Sequence, residues 1–269
     1  MENAWVIVIF LLGLGCVFLF YAWVIEPNRL IVRKVTLQGD VRKAVTLVQF
    51  SDVHFGRFKD ARKAEALVKA IHAQHPDIIL FTGDMIDNYR KTPNMTSELQ
   101  PYLHSIQAAY GKYAVYGNHD IGGGARAIFA DFMEACGFQV LCNDVKEIAQ
   151  LQVAILGMDD PQAGYGDVQL SQRSVQPYQI LMCHEPDYFE QVDVSTIDLM
   201  VSGHTHGGQI SIPFLTKYFL PRGGETYVKG LYTRANTKLF VSSGIGMTFL
   251  PFRFGNPPEI VVFHIEPNK

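Results

Sequence analysis

Residues 45–54 read VTLVQFSDVH, a mostly apolar run that stops at two polar side chains, Asp52 and His54. A short run rich in Val and Leu is typical of a buried strand. The arrangement recurs farther along the chain, where polar residues follow short apolar runs: residues 78–81 before Gly83 and Asp84, 112–116 before Gly117 and Asn118, 179–182 before His184, and 199–201 before His204 and His206. Since ligands of open α/β sheets gather beyond the carboxyl ends of strands, these groups are expected to meet in one crevice.

The rest of the chain supplies helices and further strands. Apolar residues recur with helical periodicity in three segments, residues 61–73, 97–109 and 125–136. More strands are predicted at residues 30–37, where the run forms an edge strand, and at 153–156, 238–242 and 259–265. Strands and helices alternate early and strands dominate later, which favours two sheets flanked by helices. We expect an α/β fold in which residues 45–269 form one domain.

An uncharged stretch of residues 5–25 precedes this domain. It is long enough to span a bilayer as a helix. A cleaved signal peptide fits poorly because no basic residue precedes the stretch and no small-x-small cleavage site precedes Glu26. Residues 1–25 are therefore predicted to be a retained transmembrane anchor, and residues 26–44 a juxtamembrane linker that includes the edge strand.

Charge near the anchor predicts its orientation. The basic residues closest to the stretch all follow it: Arg29, Arg33, Lys34, Arg42 and Lys43. Because Lys and Arg beside a span stay on the cytoplasmic side, we expect a single-pass protein of the inner (cytoplasmic) membrane with its main domain in the cytosol. The cluster either contacts anionic headgroups or serves only as a topology signal. The net charge of −3 gives no broad cationic surface, so nucleic acid is not an expected partner.

The polar residues at the strand ends form a set of metal ligands. Asp52 and His54 lie two residues apart, so at a strand end they can point to the same side. Asp84 can bridge two cations because a carboxylate has two oxygens. Asn118 adds a neutral oxygen, and imidazoles are added by His184, His204 and His206. Without a thiolate, this set suits two divalent ions, Mn²⁺ first, with Fe, Zn or Mg as alternatives.

The order of these motifs resembles that of a known superfamily. Asp-x-His, Gly-Asp-x-x-Asp, Gly-Asn-His-Asp, a lone His and Gly-His-x-His follow one another between residues 49 and 206. This set resembles the calcineurin-like metallophosphoesterases. The resemblance implies a four-layer α/β/β/α sandwich in which one metal is held by Asp52, His54, Asp84 and His206. It gives the second metal Asp84, Asn118, His184 and His204.

The resemblance also implies a catalytic pair. His119 is similar to the residue that contacts phosphate and protonates the leaving oxygen, and Asp87 to its orienting partner. Protein Ser/Thr phosphatases are disfavoured because their Gly-Asp-x-Val-Asp-Arg-Gly motif is absent, since Asp87 is followed by Asn88 and Tyr89. Some relatives lose catalytic residues and act as scaffolds. The presence of His119 and Asp87 argues against that alternative.

A closer resemblance is to membrane-anchored bacterial members of the YaeI/YkuE/LpxG type. It rests on residues 183–186 (CHEP), 203–210 (GHTHGGQI) and 253–259 (RFGNPPE). It implies hydrolysis of phosphodiester or pyrophosphate bonds. The LpxG branch implies cleavage of UDP-2,3-diacylglucosamine to a lipid monophosphate and UMP in lipid A biosynthesis. A general membrane-associated phosphodiesterase is the alternative, and a phosphomonoesterase stays open.

The residues themselves give weaker support for a phospholipid or nucleoside-diphospho-lipid substrate. Apolar residues crowd segments 212–220 and 248–254, and they either receive acyl chains or pack in the core. Arg222 and Arg253 are candidates for binding the second phosphate, since guanidinium suits bidentate contact with an oxyanion. The membrane is the expected partner, and no obligate protein partner is inferred.

Overall fold

The computed structural model describes residues 2–58 and 61–268, so the predicted domain limits Met1 and Lys269 lie outside the described residues. Helix α1 spans Glu2–Phe20 and continues through a π-helical turn, Tyr21–Ile25, and a 3₁₀ turn, Glu26–Asn28. Its apolar side chains from Trp5 to Phe20 are exposed. By length and composition alone, Trp5–Asn28 could cross a membrane.

The other helices and the strands of the described residues form a domain with two sheets. The remaining α-helices are α2 (Ala64–His72), α3 (Met95–Ser105), α4 (Asn118–Gly122) and α5 (Arg126–Ala135). The strands are β1 (Ile31–Gly39), β2 (Val45–Phe50), β3 (Ile78–Phe81), β4 (Lys112–Ala114), β5 (Gln139–Val140), β6 (Asp144–Ile148), β7 (Val153–Gly157), β8 (Tyr178–Met182), β9 (Leu199–Ser202), β10 (Gly230–Arg234), β11 (Thr237–Val241) and β12 (Glu259–Pro267).

Each sheet has six strands and a mostly parallel centre. The first has the order β1-β12-β2-β3-β4-β5, in which only the β12–β2 pair is antiparallel. The second has the order β10-β11-β9-β8-β7-β6, in which β7, β8, β9 and β11 are parallel. Parallel strands all start at one end of the sheet and finish at the opposite end. The loops after β2, β3, β8 and β9 therefore carry their residues beyond the carboxyl ends.

The two sheets pack face to face with apolar layers between and around them. Val45, Leu80, Ile155, Ile180 and Phe263 are among the buried residues between the sheets. Helices α2, α3 and α5 cover the outer face of the first sheet. The outer face of the second is covered by 3₁₀ turns and loops that bury residues such as Phe189 and Ile197. The predicted α/β/β/α fold is confirmed, with short 3₁₀ turns in place of α-helices in the fourth layer.

The boundaries differ from prediction where local backbone geometry overrides periodicity. Helix α3 ends at Ser105, four residues early, because Ile106 adopts an extended conformation with φ −65° and ψ 131°. Strands β5, β6 and β10 were not predicted, since their short or polar sequences lack a clear apolar alternation. The predicted edge strand is β1, which lies at the edge of the first sheet and pairs along its length with β12.

Candidate metal centre

Loops from both sheets meet at one edge of the sandwich. The first sheet supplies Asp52 and His54 after β2, Asp84 after β3, and Asn118 after β4. The second supplies imidazoles after β8 and β9, from His184, His204 and His206. The side chains of Asp52, Asp84 and His184 are no more than 2% exposed. All seven predicted ligands thus converge at the boundary between the two sheets.

Four of these side chains surround a first position. Asp52 Oδ1 lies 3.6 Å from His206 Nε2, which lies 3.0 Å from His54 Nε2. His54 Nε2 lies 3.5 Å from Asp84 Oδ2. Neighbouring ligand atoms of a four- to six-coordinate ion are about 3.0–3.4 Å apart when metal–ligand distances are about 2.1 Å. The spacing of this group is close to that range.

A second position lies on the other side of Asp84. Its Oδ2 is 3.3 Å from His184 Nε2, which is 3.2 Å from Asn118 Oδ1. Asn118 Oδ1 is in turn 3.0 Å from His204 Nδ1. The Asp84 carboxylate therefore adjoins both positions and is placed to be shared by two cations.

Hydrogen bonds on the far side of two imidazoles decide what can occupy the second position. His184 Nδ1 lies 2.7 Å from the Thr82 carbonyl, and His204 Nε2 lies 2.8 Å from the Arg222 carbonyl. These nitrogens must donate, because a carbonyl only accepts. In a neutral ring the other nitrogen then carries a lone pair, which faces the acceptor oxygen of Asn118. Acceptors repel one another unless a proton or a cation lies between them.

The charges of the pocket leave two of its ligands in the form that binds metal. Burial, with the charge of His184 adding to it, lowers the pKa of His204 to about 4, so this ring is neutral near pH 7. Burial opposes ionisation of Asp84, but the imidazoles of His184 and His119 outweigh it and hold the pKa of that carboxyl well below its usual range. An ionised carboxylate and a neutral imidazole are the forms that bind metal. The third, His184, is protonated without a metal: burial opposes its protonation, but the carboxylates of Asp84 and Asp52 outweigh it and raise its pKa well above the usual value, so a cation would displace that proton. The residues present fit a pair of divalent ions.

The ligands are held in an uncommon backbone conformation. Asp52, His54, Asp84, His204 and His206 have φ between 49° and 71°, in the left-handed region that side chains other than glycine rarely adopt. Such strain persists only where the surroundings hold the backbone in place. Five of the eleven described non-glycine residues with positive φ are predicted ligands, so nearly half of this strain lies at one edge of the fold.

Asp120 holds the Asp84 loop in this conformation. Its carboxylate is fully buried and accepts hydrogen bonds from the backbone N–H groups of Asp84 (2.8 Å), Met85 (3.0 Å) and Gly117 (3.1 Å). It thereby fixes the Asp84 loop against the loop that carries Asn118. We did not predict this role, although Asp120 ends the Gly-Asn-His-Asp motif. The motif reveals that a carboxylate is present, but it does not reveal which backbone amides donate hydrogen bonds to it.

The glycines before the ligands are needed for close approach of backbone segments. A Cβ on Gly117 would overlap the carboxylate and backbone of Asp84, and one on Gly203 would overlap the side chains of Asp52 and Ser51. The glycines of the Gly-Asn and Gly-His motifs therefore make room for the carboxylates of Asp84 and Asp52.

His119 lies beside the ligands but is more open than they are. Its ring is 4.7 Å from that of His54, and its side chain is 31% exposed. His119 Nδ1 is 3.1 Å from the Asp87 carbonyl oxygen and 3.6 Å from the Asp87 carboxylate. The orienting hydrogen bond thus goes to the backbone of Asp87, which leaves His119 Nε2 available to a substrate.

The Asp87 carboxylate lies near two further side chains besides the predicted partner His119. It lies 3.6 Å from His54 Nδ1 and 3.4 Å from Arg57 Nη1. A carboxylate behind a metal-binding imidazole orients the ring and increases its basicity. Burial opposes ionisation of Asp87, but His54 and Arg57 keep its pKa below the usual value. Asp87 therefore supports both His119, through its backbone, and His54, through its side chain.

The two predicted phosphate-binding arginines occupy different environments. Arg253 is fully buried and donates to the carbonyls of Ser243, Gly246 and Asn256, with Nη2 3.5 Å from His206 Nδ1. Its donors are used within the protein, so the prediction that it binds the second phosphate conflicts with the structure. Arg222 has an exposed side chain next to the carbonyl that His204 contacts. Its contact with a phosphate stays a prediction.

Comparison with known proteins agrees with this geometry. The calcineurin-like phosphoesterase family matches residues 45–208. The uncharacterized metallophosphoesterase YkuE of Bacillus subtilis is 34% identical over 91% of this chain and 89% of its own length. Phosphodiesterase YaeI of Escherichia coli is 26% identical over 89% of this chain and 90% of its own. A dimetal phosphatase from Danio rerio shares the fold, with a TM-score of 0.50 at 10% identity over 78% of this chain and 90% of that one.

Proposed function

This chain belongs to the calcineurin-like phosphoesterase family and is a metal-dependent phosphoester hydrolase, and we propose that it cleaves a phosphodiester or pyrophosphate bond in a lipid-linked substrate. The observation that carries this proposal is one edge of the sandwich at which the seven ligand side chains and the partly exposed His119 come together. Arg253 connects this edge to the residues that follow α1, because it contacts both His206 and the Ala22 carbonyl. When bound, two cations would supply a water of lowered pKa and positive charge close to the phosphoryl oxygens.

The residues of the chain then handle the leaving group. Water adds to one phosphorus and the bond from that phosphorus to the leaving oxygen breaks, so this oxygen needs a proton. His119 is placed to give it from Nε2, because Nδ1 is held by the Asp87 carbonyl. Burial opposes protonation of His119, but Asp84 and Asp87 outweigh it and raise its pKa. A raised pKa favours the acid form that this step requires.

A nucleoside-diphospho-lipid is the substrate class that we favour. UDP-2,3-diacylglucosamine would give UMP and the lipid monophosphate. Two features support a lipid. Segments 212–220 and 248–254, which follow the last metal motif and adjoin it, expose large apolar side chains such as Phe214 and Phe249 rather than packing them in the core. The exposed guanidinium of Arg222 beside His204 suits the second phosphate of such a molecule.

A general membrane-associated phosphodiesterase is the second candidate. The name of the relative YaeI supports it, since that protein is called a phosphodiesterase and aligns with 89% of this chain. Manganese is the proposed native metal, because a set of oxygen and imidazole ligands without thiolates suits it. A phosphomonoesterase would act on the same edge and is distinguished by assay.

We propose that the domain lies on the cytosolic face of the inner membrane. Basic side chains follow the apolar helix, and Arg29 and Lys34 are exposed there. A cytosolic site would meet nucleotide-linked lipids in the inner leaflet. A reporter fused after the last residue, active only in the periplasm, would contradict this orientation.

The test uses the full-length protein loaded with Mn²⁺ in detergent micelles. It is incubated with UDP-2,3-diacylglucosamine, bis-p-nitrophenyl phosphate and p-nitrophenyl phosphate in parallel, and UMP or nitrophenol is measured. Release of UMP supports the lipid proposal. Cleavage of the diester without UMP favours the second candidate, and cleavage of the monoester alone rejects both.

The role of His119 is tested in the same assay. We expect His119→Ala to retain two metal equivalents and to lose about 10²–10⁴-fold in turnover, the contribution usual for a positioned general acid. His72→Ala is the control, since His72 is exposed on α2 away from the site. Full turnover in the His119 variant would remove His119 from the mechanism.

A further inference from the structure

Two loops beside the metal centre expose several large apolar side chains. We define the apolar rim as residues 213–219 and 249–250. Phe214 is 89% exposed, Phe249 is 85% and Tyr218 is 73%. Large apolar side chains grouped at such exposure mark an interaction surface rather than ordinary surface composition. Lys217 is also exposed within the rim and adds a cation.

Hydrogen bonds join the two loops into one unit. The Gln209 side chain donates to the carbonyls of Leu250 (2.9 Å) and Phe252 (3.0 Å) and accepts from the Thr248 N–H (2.8 Å). Ser211 N–H donates to the Phe254 carbonyl at 2.7 Å. Gln209 lies three residues after the ligand His206, so the unit that carries the rim is joined closely to the metal centre.

The rim is also attached to the carboxyl end of the apolar helix. The ring of Phe254 lies 4.6 Å from that of Phe18 and 6.3 Å from that of Tyr21. Arg253 N–H donates to the Ala22 carbonyl at 2.9 Å. If α1 spans a bilayer, its last turns pass through the interface at the level of these contacts. The apolar rim therefore adjoins the point where the chain leaves the membrane.

Buried polar contacts make this attachment firm. Glu26 is 1% exposed, and its carboxylate accepts hydrogen bonds from the N–H groups of Gly255 (3.0 Å) and Asn256. The Asn256 side chain donates to the carbonyl of His206 and accepts from Lys229. One chain of contacts thus runs from the end of α1 to a metal ligand. The helix cannot pivot freely against the site while these contacts persist.

We propose that the apolar rim inserts into the bilayer interface beside the end of α1 and holds the mouth of the metal centre at the level of the lipid headgroups. Continuity with the apolar helix selects a lipid surface as the occupant. Aromatic side chains favour that interface, and the exposed Lys217 suits anionic headgroups. The proposal concerns how the domain sits on the membrane and does not depend on which bond the site cleaves.

Tryptophan fluorescence in the full-length protein tests this position. Trp5 and Trp23 are replaced by Phe, and a single Trp is introduced as Tyr218→Trp, Phe249→Trp or Val175→Trp. Val175 is the matched control, because it is 91% exposed and precedes β8, at the end of the strand opposite His184. Each variant is reconstituted into vesicles of phosphatidylethanolamine and phosphatidylglycerol with brominated or unmodified acyl chains.

We expect bromine to quench the Trp at positions 218 and 249 and to leave that at 175 unquenched, with a variant that keeps Trp23 as the membrane reference. Quenching at 218 and 249 no greater than at 175 would overturn the proposal. So would a blue-shifted emission without bromine quenching, which would show that protein rather than lipid covers the rim. Equal metal content in all variants confirms that the fold is intact.

Discussion

Removal of the Asp120 carboxylate should loosen the metal centre without touching a ligand. Asp120→Ala leaves three buried N–H groups without an acceptor, those of Asp84, Met85 and Gly117. An orphaned buried donor costs about 1–3 kcal/mol. Because Asp84 and Met85 share one loop and can relax together, we expect a loss of about 3–6 kcal/mol rather than the full sum. Asp120→Asn retains one oxygen, keeps at most two of these bonds, and should lose about 1–3 kcal/mol.

Thermal unfolding of the metal-free and Mn²⁺-loaded proteins measures these losses, and elemental analysis measures bound metal. A loss of 1 kcal/mol corresponds to roughly 2–4 °C in Tm for a domain of this size. We expect both Tm and metal content to decrease from the parent protein to the Asn variant, and further to the Ala variant. Asp131→Ala is the control, since Asp131 is exposed on α5. An Ala variant that matches this control in Tm and binds two metal equivalents would refute the role assigned to Asp120.

Three further perturbations follow from the same contacts. Glu26→Ala should lower the free energy of unfolding by about 2–4 kcal/mol, since it removes the acceptor of the N–H groups of residues 255–256. Glu26→Gln should lower it by less, and equal Tm values for the two variants would contradict this. Gly203→Ala should bind less metal by elemental analysis because its Cβ would overlap Asp52, whereas Gly122→Ala has open space and should bind as the parent does. Removal of metal by chelation should lower Tm, because a ligand present at 100 times its Kd adds about 2.7 kcal/mol to the free energy of unfolding. An unchanged Tm would contradict metal binding by ligands from both sheets.

The ligand residues were predictable because their chemistry is local. Asp52 and His54 occur at the end of an apolar run, and the strand β2 ends two residues before Asp52. The order of the motifs also predicts which ligands share a metal. Short-range sequence patterns alone leave that question open. The structure places the predicted groups at 3.0–3.6 Å from their neighbours. Sequence reasoning thus identified the residues, and the fold supplied the distances.

Residues whose role depends on long-range contacts were not predictable in this way. Arg253 looked suited to a phosphate because guanidinium is a good phosphate ligand, yet its donors bind carbonyls of loops that only the fold brings near. Asp120 accepts from amides 35 and 36 residues away in sequence. Glu26 appeared to belong to a linker, but its carboxylate accepts from residues about 230 positions later. Side-chain type does not reveal which backbone groups will need a partner.

The backbone strain lies at the ligand residues, whereas the buried strands before them provide the stability of the fold. Five ligand residues adopt left-handed φ values, at a cost of roughly 1–3 kcal/mol each. The strands before them, β2, β3 and β9, are almost entirely buried and contain no residue with positive φ, so the packed sheets hold the strand ends in place. Relaxing the backbone of one ligand residue would require breaking its contacts with Asp120 or with the opposite sheet. The loops therefore present donors in a fixed geometry before any cation arrives, which reduces the reorganisation that binding and catalysis would otherwise require.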